Sequence, residues 1–172
     1  MMEQTKEIVI DGFLAAVLFA LQIALIHFPN IEMVSLMVIL YTLVFGKRVL
    51  RILTVFIILE GMFHGFGIWW ISYIYVWPIL AGLTGLLKKH HAPDWGYGIL
   101  SCLFGFSFGL LCSLPYIAGG LGAVFAWWIS GIPFDIVHGI SNLVIGLVLF
   151  QPLKRILILC KKGGGTRPTS FN

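Results

Sequence analysis

The eleven lysines and arginines of this chain fall in five places: Lys6, the cluster Lys47, Arg48 and Arg51, the pair Lys88-Lys89, the pair Lys154-Arg155, and the terminal Lys161, Lys162 and Arg167. Between these places run long apolar stretches with no fixed positive charge. Only 10% of the residues are charged and 59% are hydrophobic, with a mean hydropathy of +1.00. A soluble domain carries about 25% charged residues. The chain therefore reads as an all-α integral membrane protein. At about 20 residues per span, its 172 residues hold six transmembrane helices and leave no room for a soluble domain beside them.

Apolar runs and breakers give the layout. A first helix is expected over 8–27, ending at Pro29-Asn30, because Pro and Asn stop helices. The run 31–45 is short for a span and closes at Gly46 and the basic cluster. Further helices are expected over 49–65, 68–87 and 95–114, the fourth and fifth separated by the polar linker His90 to Asp94. A long Gly- and aromatic-rich loop then leads to a sixth helix over 133–159, started by Pro133, whose missing N–H costs nothing in a first turn. Residues 1–160 form one transmembrane domain and 161–172 a polar, Gly-rich tail. Lysine and arginine favour the cytoplasmic side of short loops. Six spans with both termini cytoplasmic put every Lys and Arg inside and leave the three outer loops without any. A second run that failed to cross would destroy that separation.

The N-terminal segment mixes Glu3, Lys6, Glu7 and Asp11, unlike the basic start of a signal peptide, so it reads as part of a retained helix. Cys102, Cys112 and Cys160 lack CxxC spacing and read as buried free thiols. The net charge of +4 is spread over membrane-flanking loops and does not suggest a nucleic-acid partner.

Polar residues inside the spans are the candidate site. An ionisable group in hydrocarbon is costly and usually faces the bundle interior or a water-filled cavity. Asp135, His138 and Asn142, at i, i+3 and i+7 from the expected start of the sixth helix, share one face. Glu60 and His64 share another at i, i+4. At 1.5 Å per residue, Glu60 lies roughly 16 Å along its helix and Asn142 roughly 14 Å along the sixth. Both are near mid-membrane, with His64, His138 and Asp135 further out. Facing each other, the two helices would line a pocket open to the outside and closed toward the cytoplasm. The structural alternative pairs Glu60 with His64, lets Asp135 complement the dipole of a first helical turn, and leaves His138 and Asn142 to satisfy backbone groups.

Trp69, Trp70, Tyr73, Tyr75 and Trp77 crowd the outer start of the fourth helix, with Trp127 and Trp128 in the loop before the sixth. An interfacial belt explains such residues, but the cytoplasmic side offers only Trp95 and Tyr97 in return. Flat rings beside a carboxylate suit a heteroaromatic or cationic ligand. On the first helix, Ala16, Ala20 and Ala24 make a smooth stripe that lets another helix approach closely, within the bundle or from a separate membrane subunit. No HExxH, GxSxG or phosphate-binding Gly-rich loop is present, so no enzyme is expected and any ATP must be handled by another polypeptide.

These residues resemble a known family, the substrate-binding S components of energy-coupling-factor vitamin transporters. The resemblance covers nearly the whole chain and rests on its length and six-span layout, on AxxxAxxxA in the first helix, on PNIEMVSLMVILYTLVFG after it and on WISGIPFDIVHGISNLVIGLVLFQPL in the last. It implies a multi-pass protein of a prokaryotic cell membrane that captures a vitamin or related micronutrient outside. It further implies partners, a transmembrane coupling subunit and two cytoplasmic ATPases, with Ala16, Ala20 and Ala24 against the coupling subunit. Glu60, His64, Trp69, Trp70, Tyr73, Trp127, Trp128, Asp135, His138 and Asn142 are the expected substrate-binding residues. The family's nickel and cobalt members use a His behind the initiator Met, whereas this chain begins Met-Met-Glu-Gln, so no metal or cofactor is expected. The runner-up is a stand-alone proton-coupled permease in which Glu60 and Asp135 take up protons.

Overall fold

The chain is seen as a computed structural model that describes residues 2–163, with side chains over 3–162. Among the described residues there are only helices, turns and connecting segments: α1 Met2–Ala24, α2 Val34–Phe45, α3 Val49–His64, α4 Ile68–Lys89, α5 Asp94–Ser113 and α6 Leu121–Gly163, with 3-10 turns at Gly46–Arg48 and Leu114–Gly119. Four helical stretches, Glu3–Ala24, Ile68–Lys89, Asp94–Gly119 and Leu121–Lys162, are long and apolar enough to cross a membrane. The other two helices, α2 with 12 residues and α3 with 16, fall short of the about 20 residues a full span needs.

Several boundaries move. Helix α1 begins before residue 8, so Lys6 and Glu7 are helical, and it ends at Ala24. The expected outer loop is largely helix. Its break lies at Gly120, whose φ of 89° is a left-handed conformation that glycine adopts freely. From Leu121 the chain is helical through Pro133 and Pro152 to Gly163. Pro133 is thus not a first-turn residue, and Asp135 does not cap the helix. Lys161 and Lys162 belong to α6 rather than to the tail, and the rest of the expected tail lies outside the described residues. Cys102 and Cys112 are partly buried, but Cys160 is exposed.

Helix α2 is the centre of the bundle. Every residue except Leu43 is buried, and all five other α-helices touch it. A short buried helix must still satisfy the free N–H groups at its start and the free carbonyls at its end. Here charged side chains do so. The Glu32 carboxylate accepts from the Ser35 N–H at 2.8 Å. At the far end Lys88 Nζ donates to the Leu43 carbonyl at 3.0 Å and Lys161 Nζ to that of Val44 at 2.7 Å. An anion at the N-terminus and cations at the C-terminus also match the helix dipole.

Two different contacts hold the flanks. On one, buried Asp11 of α1 receives both Arg48, at 2.7 Å, and Arg51, at 2.8 Å, while Glu7 meets the same two arginines at 3.5 and 3.0 Å. Glu7 and Asp11 thereby pair with the two arginines of the first basic cluster. On the other flank α5 runs antiparallel to α6 along glycines spaced by seven on each helix. A Cβ on Gly105 would lie 2.8 Å from the Gly139 Cα, and one on Gly146 would lie 3.0 Å from the Gly98 Cα. Backbone meets backbone, the close approach that small residues permit between membrane helices. At the cationic end Asp94 accepts from Gln151 and from Lys154 at 2.7 Å.

Gly105→Ala should therefore destabilise the protein by about 1–3 kcal/mol through overpacking. The same change at Gly82, where an added Cβ meets nothing within 4 Å, should be neutral or stabilise by up to about 1 kcal/mol through helix propensity. Thermal melting of both variants in detergent checks this, and equal melting temperatures would contradict the seam.

Candidate functional site

The helices run alternately up and down, which brings several polar interior residues together at the end away from the cationic clusters. Gln22 near the end of α1, Glu32 before α2, Glu60 and His64 near the end of α3, Trp69, Tyr73 and Trp77 on α4, Phe108 on α5 and His138 on α6 all line one cavity of about 400 Å³. The connecting segment 25–33 forms much of its wall. Among the described residues no lysine or arginine lines it.

Glu60 is fully enclosed, at 0% exposure. Its Oε2 accepts from Gln22 Nε2 at 2.8 Å and lies 3.7 Å from His64 Nε2. Gln22 also reaches the Tyr73 hydroxyl at 3.3 Å. His138 Nε2 lies 3.1 Å from the Glu32 carboxylate, and the neighbouring Ser141 hydroxyl donates to the Asn30 carbonyl at 3.0 Å. These two contacts pin segment 25–33 onto α6, where Asn30 turns the chain at a φ of 60°.

Aromatic rings make the apolar wall. Trp69, Tyr73 and Trp77 follow at i, i+4 and i+8 along α4 and touch edge to face, with centroids 5.2 and 5.4 Å apart. Trp77 continues to Phe108 at 5.7 Å, and Phe108 meets the His138 ring at 4.9 Å. Buried Phe56 packs against this wall, its ring 6.3 Å from that of Tyr73 and 6.1 Å from that of Trp77.

The structure thus brings together Glu60, His64, Trp69, Tyr73 and His138 of the expected set. It separates the others. Trp70 donates from its indole to the Ile57 carbonyl at 2.8 Å, a tie between α4 and α3. Trp127 and Trp128 are on α6 rather than in a loop, Trp127 against Tyr116 of the 3-10 turn at 5.1 Å. Asp135 accepts from the Gly109 N–H at 2.9 Å, and Asn142 donates to the Ser101 carbonyl at 3.3 Å, so both tie α6 to α5. The stripe Ala16, Ala20 and Ala24 is exposed along α1.

Gln22 and Glu32 are additions. Gln22 is the one polar side chain in the run between Asp11 and His27, a signal of the same kind as Glu60. Glu32 stands beside Pro29-Asn30, where an acid looks like ordinary loop. Among the described residues no group of three or more His, Cys, Asp or Glu stands where it could hold a metal ion. No protein-family model, curated protein or solved structure matches this chain.

Glu32 belongs to the connecting segment, outside the long apolar helices. Burial pushes its pKa up most strongly, but the hydrogen bond and charge of His138, with the Ser35 contacts, outweigh it and hold the group below its usual 4.5. A depressed carboxylate stabilises the fold above its unfolded pKa, and that stability is lost as pH falls through the folded value. Melting temperature should therefore fall below about pH 4.5, and this acid-sensitive component should be missing in Glu32→Gln. A variant with the same acid profile as the parent chain would contradict it.

Proposed function

We propose that this chain is the membrane-embedded capture subunit of a micronutrient importer, with the cavity of Glu60, His64, Tyr73 and His138 as its substrate site. Binding sites for small molecules are mostly apolar concavities with a few convergent polar groups, in the range of 300–1,000 Å³. The cavity of about 400 Å³, with aromatic walls and enclosed polar groups, has this character. That single cavity carries the reading.

Its position supports a direction. The chain crosses the membrane six times, the short α2 and α3 included, with both termini and every Lys and Arg on the cytoplasmic side. The cavity then faces outward. The chain has no phosphate-binding loop, so energy comes from partners: a transmembrane coupling subunit and two cytoplasmic ATPases. The exposed alanine stripe on α1 is the docking face, smooth enough for a partner helix to approach closely. This is the arrangement implied by the resemblance to energy-coupling-factor S components.

The detergent-purified chain, without partners, should bind one compound of a vitamin panel tightly, read by tryptophan fluorescence and calorimetry. No binding across the panel would overturn the capture reading. Ala20→Trp should leave that binding intact while reducing partner-dependent uptake by about tenfold or more, since a bulky ring blocks close helix approach. Full uptake by the chain alone in liposomes would instead make it a stand-alone permease.

A further inference from the structure

A second cleft, of about 340 Å³, opens where α4 finishes and α5 begins, and Lys88, His91, Asp94, Tyr97 and Lys154 share its walls. The cavity of Glu60 is lined by two carboxylates and two histidines. This one, among the described residues, sets two ammonium groups and a histidine against a single carboxylate.

The fold holds each of these groups in place. Lys88 Nζ donates to the Leu43 carbonyl at 3.0 Å, and a carbonyl dipole orients an ammonium without cancelling its charge. Lys154 Nζ meets Asp94 at 2.7 Å and stands 5.2 Å from the centre of the Phe150 ring. That ring stacks on Tyr97 at 5.5 Å with the planes 6° apart, so one stacked pair positions both Lys154 and Tyr97. His91 closes α4 in a turn, its N–H returning to the Lys88 carbonyl at 3.1 Å and the Ala92 N–H to that of Leu87 at 3.1 Å. Its φ is 53°. That left-handed position usually belongs to glycine, and a histidine holds it at a backbone cost.

The Tyr97 hydroxyl is the independent sign of a ligand. The residue is only 4% exposed, and its hydroxyl makes no hydrogen bond among the described residues. Six other buried side-chain atoms without partners, Glu60 Oε1 and His138 Nδ1 among them, are sealed off entirely. The Tyr97 oxygen is not one of them, so the surface it keeps opens on the cleft it lines. A buried donor is costly to leave unpaired. Beside two ammonium groups, the acceptor that suits it is an anion.

The surroundings favour a lipid anion. Trp95, next to Asp94, is 61% exposed, and Ile99 and Leu103 continue its face at i+4 and i+8 with 42% and 58% exposed. An apolar stripe fit for acyl chains therefore starts beside the cleft and runs along α5, with an indole at the level where headgroups lie. Basic pockets between membrane helices take anionic headgroups. A zwitterionic headgroup would bring its own ammonium toward Lys88 and Lys154.

We infer that this cleft binds the phosphodiester of an anionic phospholipid, with Lys88, His91 and Lys154 around its charge and the Tyr97 hydroxyl donating to one of its oxygens. That occupancy depends on the chain lying in a membrane and not on what the Glu60 cavity binds.

The intact chain in uncharged detergent is titrated with phosphatidylglycerol, with phosphatidylcholine of the same acyl chains and with inorganic phosphate, read by native mass spectrometry and calorimetry. Phosphatidylglycerol should bind about tenfold or more tighter than the other two. Tyr97→Phe keeps the ring stack, removes only the hydroxyl, and should weaken phosphatidylglycerol several-fold. His91→Gly should weaken it too, while melting no lower than the parent, because glycine adopts the left-handed turn freely. Asp94→Asn takes the competing carboxylate from Lys154 and should tighten binding several-fold, a gain that misfolding does not produce. Exposed Lys47, outside the cleft, is the control, and Lys47→Gln should leave the affinity unchanged.

Phosphatidylcholine binding as tightly as phosphatidylglycerol would overturn the inference, and so would inorganic phosphate doing so, which would make the occupant a soluble anion. Equal losses in Lys47→Gln and Tyr97→Phe would reduce the binding to diffuse attraction and overturn it as well. Unchanged affinity in well-folded Tyr97→Phe and His91→Gly would remove the cleft as the site. Tighter binding of oligoglutamate than of phosphatidylglycerol would make this face a protein contact instead.

Discussion

The bundle depends on how helix α2 is finished at its two ends. A 12-residue helix rises only about 18 Å, so its termini fall inside the protein, where water cannot complete them. Glu32 at one end and Lys88 and Lys161 at the other supply the missing partners. Those three residues come from the segment before α2, from α4 and from α6, so completing one buried helix fixes the heights of its neighbours. Tyr41 adds a level between them, its hydroxyl donating to the Leu14 carbonyl of α1 at 3.3 Å.

The same requirement shapes the candidate site. Glu32 caps α2 with one oxygen and meets His138 with the other, so the wall of the cavity is also a structural part of the central helix. Glu60 differs. Its carboxylate is enclosed by Gln22, His64 and Tyr73 without any fixed cation, and the fold has no evident structural use for its second oxygen. A group that the architecture does not need is the sounder pointer to a ligand.

Much of this was legible in the chain. The helices, their order and the crowding of Lys and Arg at alternate turns follow from apolar runs and breakers, which act locally. Glu60, His64, Tyr73 and His138 were legible because a polar side chain in an apolar helix is costly wherever it points inward. What failed needed knowledge across helices. Pro133 looked like a helix start, but the stop lay at Gly120, and a packed neighbour lets a helix absorb an internal proline. Asp135 and Asn142 share a face with His138, yet that face is wide enough to divide between α5 and the cavity. The glycines at 98, 105, 139 and 146 have heptad spacing on each helix, but which glycine meets which is decided only by the pairing of α5 with α6. Glu32 was hidden because a loop acid carries no signal until the helix it caps is known to be buried.

The two flanks of the bundle are held by forces of different range. Shape complementarity binds α5 to α6 where glycine backbones touch, and dissolved ions do not alter it. Arg48 of the 3-10 turn and Arg51 of α3 bind to α1 through charge, and Arg51, with a side chain 52% exposed, sits where electrolyte shortens the reach of its field. Ionic strength therefore weighs more on that flank than on the other, where Lys154 and Asp94 add one ion pair to a glycine contact that ions leave untouched. The flank of the two arginines carries the exposed alanine stripe, so the anchoring of the helix that bears it is the part of the bundle most open to screening.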